Sequence, residues 1–340
     1  MRHNSAMRTL TMASLGILGW PLVALLPTML LTNAGAQDMP PPVAAMIAPL
    51  AAEATVLDAL QLGDGMIIAV GDRGHILRST DEGASWQQSP APVSILLTTI
   101  DAAADGTLLA AGHDAVILRS TDEGASWEIV HREPEWEQPI LDLHMISATH
   151  GFAIGAYGLY LETDDGGMSW TERSIYDGDS HLYASARLRD GSLLIAGEFG
   201  TLLRSEDEGA TWAELDSPYG GTFFGLTVPP ADEGAEQPTL VYGLQGHVFA
   251  STDYGASWTA VDTGVENGLY NAIWSDGTAP ILLGHGGLIL IDRDTGPGFD
   301  WQSVIRPARK PLAGGLKLDD GRYLIYGETG LTILDLDSAS

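Results

Sequence analysis

Five copies of one eight-residue phrase carry the side chains of this chain best suited to chemistry, because each copy holds an aspartate among hydroxyl residues. The first copy, Ser79 to Trp86, reads Ser-Thr-Asp-Glu-Gly-Ala-Ser-Trp. Such a carboxylate can also accept backbone N–H groups inside a tight turn. Since the phrase recurs at a near-constant interval, we interpret its residues as structural. The repeated aspartate and tryptophan pairs are Asp81 and Trp86, Asp122 and Trp127, Asp165 and Trp170, Asp207 and Trp212, and Asp253 and Trp258.

Metal chemistry has weak candidates. Four histidines recur beside glycine-rich turns, namely His75, His113, His247 and His285. None belongs to the His-x-x-x-His pair by which a helix binds zinc. Asp292, Asp294 and Gly296 resemble half of a calcium loop, but the distal bidentate glutamate is absent. We therefore expect no metal site and no cofactor.

The spacing of the phrase defines the elements that carry it. Successive tryptophans lie 41, 43, 42 and 46 residues apart, and a degenerate sixth copy ends at Trp301 after a further 43. A period near 42 residues is typical of one supersecondary unit that is stacked repeatedly.

A second motif, Gly-x-x-Gly followed by an apolar run, raises the number of units to seven. The pairs are Gly71 and Gly74, Gly155 and Gly158, Gly197 and Gly200, Gly243 and Gly246, Gly284 and Gly287, and Gly327 and Gly330, with Gly112 and Ala115 in the second unit. Each unit alternates short apolar runs with turn signals, which predicts four antiparallel strands. The sequence thus predicts an all-β, seven-bladed β-propeller of four-stranded antiparallel blades over residues 53–340.

The last blade is one strand short. Aligning the first unit on the second places Ala45 where Trp86 lies. We therefore expect residues 37–52 to supply the closing strand, with Met46 to Ala48 as the outer strand of the last blade.

The amino terminus and the charge predict the compartment. An apolar stretch from Leu10 to Leu31 is followed by Ala34-Gly35-Ala36, which indicates a signal peptide over residues 1–36 that is cleaved after Ala36. The absence of cysteine excludes disulfides, thiolate metal sites and lipid attachment through a cysteine. The net charge of −29 excludes nucleic acid and anionic lipid as partners. We expect a periplasmic or otherwise extracytoplasmic monomer that does not insert in the membrane after cleavage.

The eight-residue phrase resembles the Asp-box, or BNR repeat, of sialidase-like propellers. That resemblance implies a tyrosine nucleophile with a glutamate, and an arginine triad. Tyr160, Tyr176 and Tyr183 could each be proposed as the nucleophile, but no arrangement of arginines supports them. We therefore expect no enzyme activity. A glycan-binding or glycoside hydrolase Asp-box protein is the alternative.

Together, the Asp-boxes and the Gly-x-x-Gly turns resemble the photosystem II stability and assembly factor family. This resemblance implies a non-catalytic propeller that binds an integral-membrane protein, or its exported segment, while a complex of the cell envelope is built; a transporter is another conceivable client. The family presents an arginine patch. The best matching positions here are Arg78, Arg119 and Arg204.

The middle residues of the Gly-x-x-Gly turns are the predicted partner-binding face. They lie opposite the Asp-boxes and, unlike them, vary from blade to blade, with Tyr157 and Phe199 as candidate anchors. The insertions Gly178 to His181 and Ala231 to Gln237 are expected to extend this face. The predicted residues are Asp72, Arg73, His113, Asp114, Tyr157, Glu198, Phe199, Gln245, His285 and Glu328.

Overall fold

The computed structural model describes residues 41–230, 238–274, 280–293 and 298–334. The predicted signal peptide, the insertion Ala231 to Gln237 and two residues of the half calcium loop, Asp294 and Gly296, lie outside this part of the chain. No helix in the described ranges is long and apolar enough to cross a membrane.

The described residues form seven antiparallel sheets, which confirms the predicted seven-bladed propeller. Blade 1 contains β1 (Val56–Gln61), β2 (Ile67–Gly71), β3 (Ile76–Ser79) and β4 (Gln87–Ser89), and blade 2 contains β5 (Leu97–Ala102), β6 (Leu108–Gly112), β7 (Ile117–Ser120) and β8 (Glu128–His131). Blade 3 contains β9 (Ile140–Met145), β10 (Gly151–Gly155), β11 (Tyr160–Thr163) and β12 (Thr171–Glu172), and blade 4 contains β13 (Leu182–Arg187), β14 (Leu193–Gly197), β15 (Leu202–Ser205) and β16 (Ala213–Glu214). Blade 5 contains β17 (Phe223–Thr227), β18 (Thr239–Gly243), β19 (Val248–Ser251) and β20 (Thr259–Val261); blade 6 contains β21 (Leu269–Trp274), β22 (Pro280–Gly284), β23 (Leu288–Asp292) and β24 (Trp301–Ile305); blade 7 contains β25 (Leu312–Lys317), β26 (Tyr323–Gly327) and β27 (Gly330–Leu334).

Short 3₁₀ turns complete the regular structure. They span Ala51–Glu53, Asp72–Gly74, His113–Ala115, Pro134–Trp136, Ala156–Gly158, Glu198–Gly200, Leu244–Gly246 and His285–Gly287. Six of the eight coincide with Gly-x-x-Gly turns between the second and third strands of a blade.

The first strand of each blade is the innermost, since it contacts the first strands of both neighbouring blades and β25 contacts β1. Every innermost strand carries a bulge at its second residue, where its pairing with the second strand shifts by one position. A bulge changes the direction in which a side chain points. The bulged residues are Leu57, Thr98, Leu141, Tyr183, Phe224, Tyr270 and Ala313.

The core lies between the blades. The second strand of every blade is buried along its whole length, so both of its faces pack against neighbouring blades. The Asp-box tryptophan completes this packing: Trp127 lies in a buried cluster with Ile68 of the preceding blade and Leu108 of its own. A Cβ on Gly124 would lie 3.0 Å from the Cδ1 atom of Ile68. The repeated phrase therefore joins each blade to the one before it.

The predicted closing strand over Met46 to Ala48 is not formed in the described residues, where blade 7 has three strands. The segment lies instead beside β4 of blade 1. The side-chain amide of Gln88 accepts the Ala48 N–H at 2.8 Å and donates to the Met46 carbonyl at 3.0 Å, and the Ala45 N–H donates to the Ala91 carbonyl at 3.0 Å. These contacts occupy the backbone groups that a strand in blade 7 would have used.

The amino-terminal segment and the last blade nevertheless meet. The 3₁₀ turn Ala51–Glu53 contacts β27. A Cβ on Gly330 would lie 2.1 Å from the Ala52 carbonyl oxygen, so only glycine allows this approach. The contact between the two segments is therefore made by packing rather than by strand pairing.

Candidate functional site

The Gly-x-x-Gly turns share one backbone hydrogen bond in every blade, and the turn of blade 1 shows why both of its glycines are needed. The N–H that follows the first glycine donates to the residue preceding the innermost strand, as from Asp72 to the Thr55 carbonyl at 2.9 Å. A Cβ on Gly71 would lie 2.1 Å from that same oxygen. A Cβ on Gly74 would lie 2.1 Å from the Val93 carbonyl oxygen, and Gly74 also has a positive φ of 69°. The two glycines thus fix the turn against the innermost strand and against the segment that leads to the next blade.

The residue before the second glycine points away from the blade. It adopts left-handed φ values of 54° to 58° in five blades, at Arg73, Asp114, Tyr157, Phe199 and Gln245. This conformation is unusual for a bulky side chain. Tyr157 is 60% exposed and Phe199 is 74% exposed, so neither ring gains burial in return. The structure therefore presents two aromatic rings to solvent at a small conformational cost.

The structure brings the predicted residues together on one face, opposite the Asp-boxes. Arg73 pairs with Asp72 at 3.4 Å, and Glu328 pairs with Lys310 at 2.6 Å. The side chains of His113, Gln245 and His285 are exposed. The segment Gly178 to His181 lies beside the turn of blade 3, because the Gly158 N–H donates to the Ser180 carbonyl at 3.0 Å. The role of these residues in partner binding remains a prediction.

An aromatic arc, which the sequence analysis did not find, runs from this face to the central channel. We define it as Tyr157, His181, Tyr183, Phe224 and Tyr270. The rings of Tyr157 and His181 lie 4.6 Å apart, centroid to centroid. Tyr183 follows at 6.2 Å from His181. Phe224 then lies 5.4 Å from Tyr183, and Tyr270 lies 5.4 Å from Phe224.

Three members of the arc, Tyr183, Phe224 and Tyr270, are bulged residues of innermost strands. The innermost strands begin at the face of the Gly-x-x-Gly turns, since Val56 pairs with Gly71. These three rings therefore stand at the mouth of the channel on that face. All three occupy the second position of the first strand in their units, and this shared position is the sequence signal from which the cluster could have been predicted.

Three aspartates on the innermost strands of blades 1 to 3 link each blade to the next. Asp58 accepts the Ile100 N–H at 2.9 Å, and Asp101 accepts the Met145 N–H at 2.7 Å. Asp142 accepts the N–H and the hydroxyl of Ser185 at 2.7 and 2.6 Å. Sequence reasoning missed this set, because an aspartate on a strand carries no motif.

Protein atoms surround these carboxyl groups although each retains some accessible surface. The pKa of Asp58 is raised to about 7 in total, mainly by burial; the Ile100 N–H opposes this rise, and the nearby carboxyl of Asp142 adds to it. Burial likewise raises the pKa values of Asp101 and Asp142 to about 6. The channel therefore holds carboxyl groups that exchange protons near neutral pH.

The three arginines predicted from the family patch lie on the opposite face. Arg78 Nε donates to the Glu123 carbonyl at 3.1 Å, in the Asp-box loop of blade 2. Arg119 Nε donates to the Gly166 carbonyl at 3.0 Å, in the loop of blade 3. Arg204 pairs with Asp190 of its own blade at 2.7 Å. These side chains join structural loops together, and they do not form a patch beside the Gly-x-x-Gly turns.

The five Asp-boxes share one hydrogen-bond pattern, as predicted. Ser120 Oγ donates to Asp122 Oδ1 at 2.8 Å and accepts the Gly124 N–H at 3.0 Å. Asp122 also accepts the N–H and the hydroxyl of Ser126 at 2.9 and 2.6 Å. The hydrogen bonds from Ser126 and Ser120 lower the pKa of Asp122 to about 2. The side-chain oxygens of Ser120, Asp122 and Ser126 all hold the turn, which is a structural role.

The tyrosines considered as nucleophiles have different surroundings. Tyr160 is fully buried, and the Tyr176 hydroxyl donates to the Ser180 carbonyl at 3.1 Å. Tyr183 belongs to the aromatic arc. In the described ranges no group of three or more histidine, aspartate or glutamate side chains is placed to hold a metal ion.

Known proteins share sequence with part of this chain and share its fold over most of its length. Residues 132–261 match the family model described as photosynthesis system II assembly factor YCF48. The chain is also 33% identical over 124 residues to the photosystem II assembly lipoprotein Ycf48 of Synechococcus sp. (strain CC9902). The central part of this propeller is therefore similar to the Ycf48 family, with Ycf48 as a distant relative in sequence. The alignment covers 35% of this chain and 36% of the relative, so the chain matches about a third of the length of that protein.

Solved structures show the same fold over most of the chain. A structure of YCF48 bound to a D1 peptide superposes with a TM-score of 0.67 at 15% identity, covering 87% of this chain and 95% of that one. YCF48 from Cyanidioschyzon merolae gives a TM-score of 0.65 at 18% identity, covering 85% and 97%. The WD40 propeller domain of Doa1 gives 0.64 at 11% identity, covering 83% and 92%. At these identities the structures establish the propeller fold alone.

Proposed function

We propose that this chain is a non-catalytic, exported propeller that captures an extramembrane segment of an integral-membrane protein while a complex of the cell envelope is assembled. The face of the Gly-x-x-Gly turns makes the capture. The observation that carries the proposal is the pair of solvent-exposed rings, Tyr157 and Phe199, held at left-handed φ on that face. Exposed aromatic rings are frequent anchors of protein interfaces.

The relatives support a protein as the partner. One solved structure is of YCF48 with a D1 peptide, and the curated relative is named as a photosystem II assembly lipoprotein. Arg78, Arg119 and Arg204 lie on the opposite face of this chain, so they do not contribute to the proposed contact. The net charge of −29 instead favours a segment that carries basic residues.

The test is a crosslinking pull-down of the tagged full chain from solubilised envelopes, followed by mass spectrometry. The variant is Tyr157→Asn with Phe199→Asn, because asparagine tolerates a left-handed φ and removes the ring. The matched control is Tyr254→Asn, which removes a 42% exposed ring at φ 58° on the Asp-box face.

We expect the wild-type chain and the Tyr254 variant to enrich one polytopic membrane protein, and the double variant to lose at least about tenfold of that enrichment, or about 1.4 kcal/mol. An equal loss of enrichment in the Tyr254→Asn control would show that the face of the Gly-x-x-Gly turns does not make the capture. Retention of glycans with no membrane protein captured would replace the proposal with the glycan-binding alternative.

A further inference from the structure

The mouth of the central channel is a formed cavity of about 410 Å³. All seven bulged residues line it, so its wall is contributed by every blade. This volume lies within the range of sites that bind small molecules, about 300 to 1,000 Å³. One long side chain could enter such a cavity, whereas a folded domain could not.

The wall of this cavity has two chemically different halves. Blades 4 to 6 contribute the three rings of Tyr183, Phe224 and Tyr270, which meet edge to face. Blades 1 and 3 contribute the carboxyl groups of Asp58 and Asp142. Aromatic rings together with carboxylates are the surroundings in which proteins bind organic cations.

A third observation is the hydroxyl of Tyr242. This residue on β18 is 2% exposed, yet it lines the cavity. Its ring reaches the channel past Gly225, where a Cβ would lie 2.7 Å from the Tyr242 hydroxyl oxygen. This hydroxyl is accessible from the cavity, so it can hydrogen-bond to a ligand that enters.

Asp58 retains one acceptor position for a ligand. Asp142 contributes charge but no free position, since it accepts the N–H groups of Leu143 and Ser185 and the hydroxyls of Ser185 and Thr99. An ionised carboxylate offers about four acceptor positions. Asp58 uses three of them, for the N–H groups of Ala59 and Ile100 and for the Tyr326 hydroxyl. Because the surroundings are poorly solvated, a cation that enters would interact with these carboxylates more strongly than at the protein surface.

We propose that the channel mouth binds an organic cation, namely the ammonium or guanidinium end of a lysine or arginine side chain on the captured segment. This inference rests on the proposed function and assigns a chemical class to one residue of its partner. The aromatic arc connects the two sites, since Tyr157 lies at the face and Tyr270 lies at the cavity. The net charge of −29 would attract such a segment before it docks.

Calorimetric titration of the full chain tests this proposal with three probes. The first probe is the acetylated, amidated peptide Gly-Leu-Lys-Leu-Gly; the second carries norleucine in place of lysine; and the third is tetramethylammonium chloride. The variants are Phe224→Leu at the aromatic wall and Asp142→Asn at the acidic wall. The control is Asp64→Asn, which removes one charge from an exposed turn at φ 61°, a conformation that asparagine tolerates.

We expect the lysine peptide to bind at least tenfold more tightly than the norleucine peptide. Both wall variants should lose at least about fivefold of that affinity, whereas Asp64→Asn should lose none. Phe224→Leu keeps the test valid if Asp142→Asn unfolds. Equal binding of the two peptides would overturn the proposal, as would tighter binding of tetramethylammonium, which would identify a site for a free small cation.

The same variants separate this inference from the proposed function. If Phe224→Leu captures the membrane protein as well as wild type while Tyr157→Asn with Phe199→Asn does not, the cation site is refuted and the docking face stands. If wild type captures no membrane protein, the proposed function fails first, and with it the source assigned to the cation.

Discussion

Replacing Asp58 by asparagine should change how the stability of the propeller depends on pH. The pKa of Asp58 is raised from 3.8 to about 7, chiefly by burial. A carboxyl whose pKa is higher in the folded state takes up its proton there first. Its contribution to stability is therefore fully present below pH 3.8 and is lost as the pH rises through about 7.

The size of this effect follows from the shift. A difference of about three pKa units corresponds to about 4 kcal/mol, at about 1.4 kcal/mol per unit. The wild-type chain should thus lose up to about 4 kcal/mol of stability from this residue between pH 4 and pH 8. Asparagine does not titrate, so Asp58→Asn should lack that loss.

The assay is urea unfolding of wild type, Asp58→Asn and the exposed control Asp64→Asn at several pH values from 4.5 to 8. Comparison with wild type cancels the contributions of other groups, such as His144, whose pKa burial lowers to about 4. Asp58→Asn should gain stability relative to wild type as the pH rises. Parallel profiles for wild type and Asp58→Asn would refute the assignment of a buried, proton-exchanging carboxyl to this channel.

Three further predictions follow from the turns and the Asp-boxes. Ser120→Ala should destabilise the propeller by about 1 to 3 kcal/mol in urea unfolding, because it leaves the buried Gly124 N–H without a partner; no change would contradict the structural reading of the box. Asp122→Asn should reduce the loss of stability that wild type shows between pH 4 and pH 2. The pKa of Asp122 is lowered to about 2, so its contribution to stability is lost as the pH falls through that value. An unchanged loss of stability in the variant would argue against these hydrogen bonds. Gly200→Ala should lower the melting temperature more than Gly191→Ala, although both glycines have a similar positive φ. A Cβ on Gly200 would lie 2.0 Å from the Tyr219 carbonyl oxygen, whereas a Cβ on Gly191 would lie in open space. Equal shifts of the melting temperature would refute the close approach.

The blade number and the face of the Gly-x-x-Gly turns could be predicted because both are written in repeated motifs. Each motif specifies a local conformation, such as the positive φ of Gly83 and Gly124. Repetition of that conformation at 41 to 46 residues sets the period of the ring. Local turn chemistry was sufficient for these features.

The channel mouth could not be predicted in the same way. Tyr183, Phe224 and Tyr270 come from three innermost strands, and they meet only because each strand carries a bulge at the same place. The closing strand was predicted wrongly for a related reason. Alignment of Ala45 with Trp86 gave a register, but the side chain of Gln88 binds the backbone of Met46 and Ala48 on a different blade.

Site-specific photocrosslinking in intact envelopes would identify the face of the propeller that contacts the membrane protein. A benzophenone side chain would replace Phe199 on the face of the Gly-x-x-Gly turns and, in a second strain, Tyr254 on the Asp-box face. We expect a crosslink from position 199 to one integral-membrane protein and none from position 254. A crosslink to the same protein from position 254 alone would contradict it.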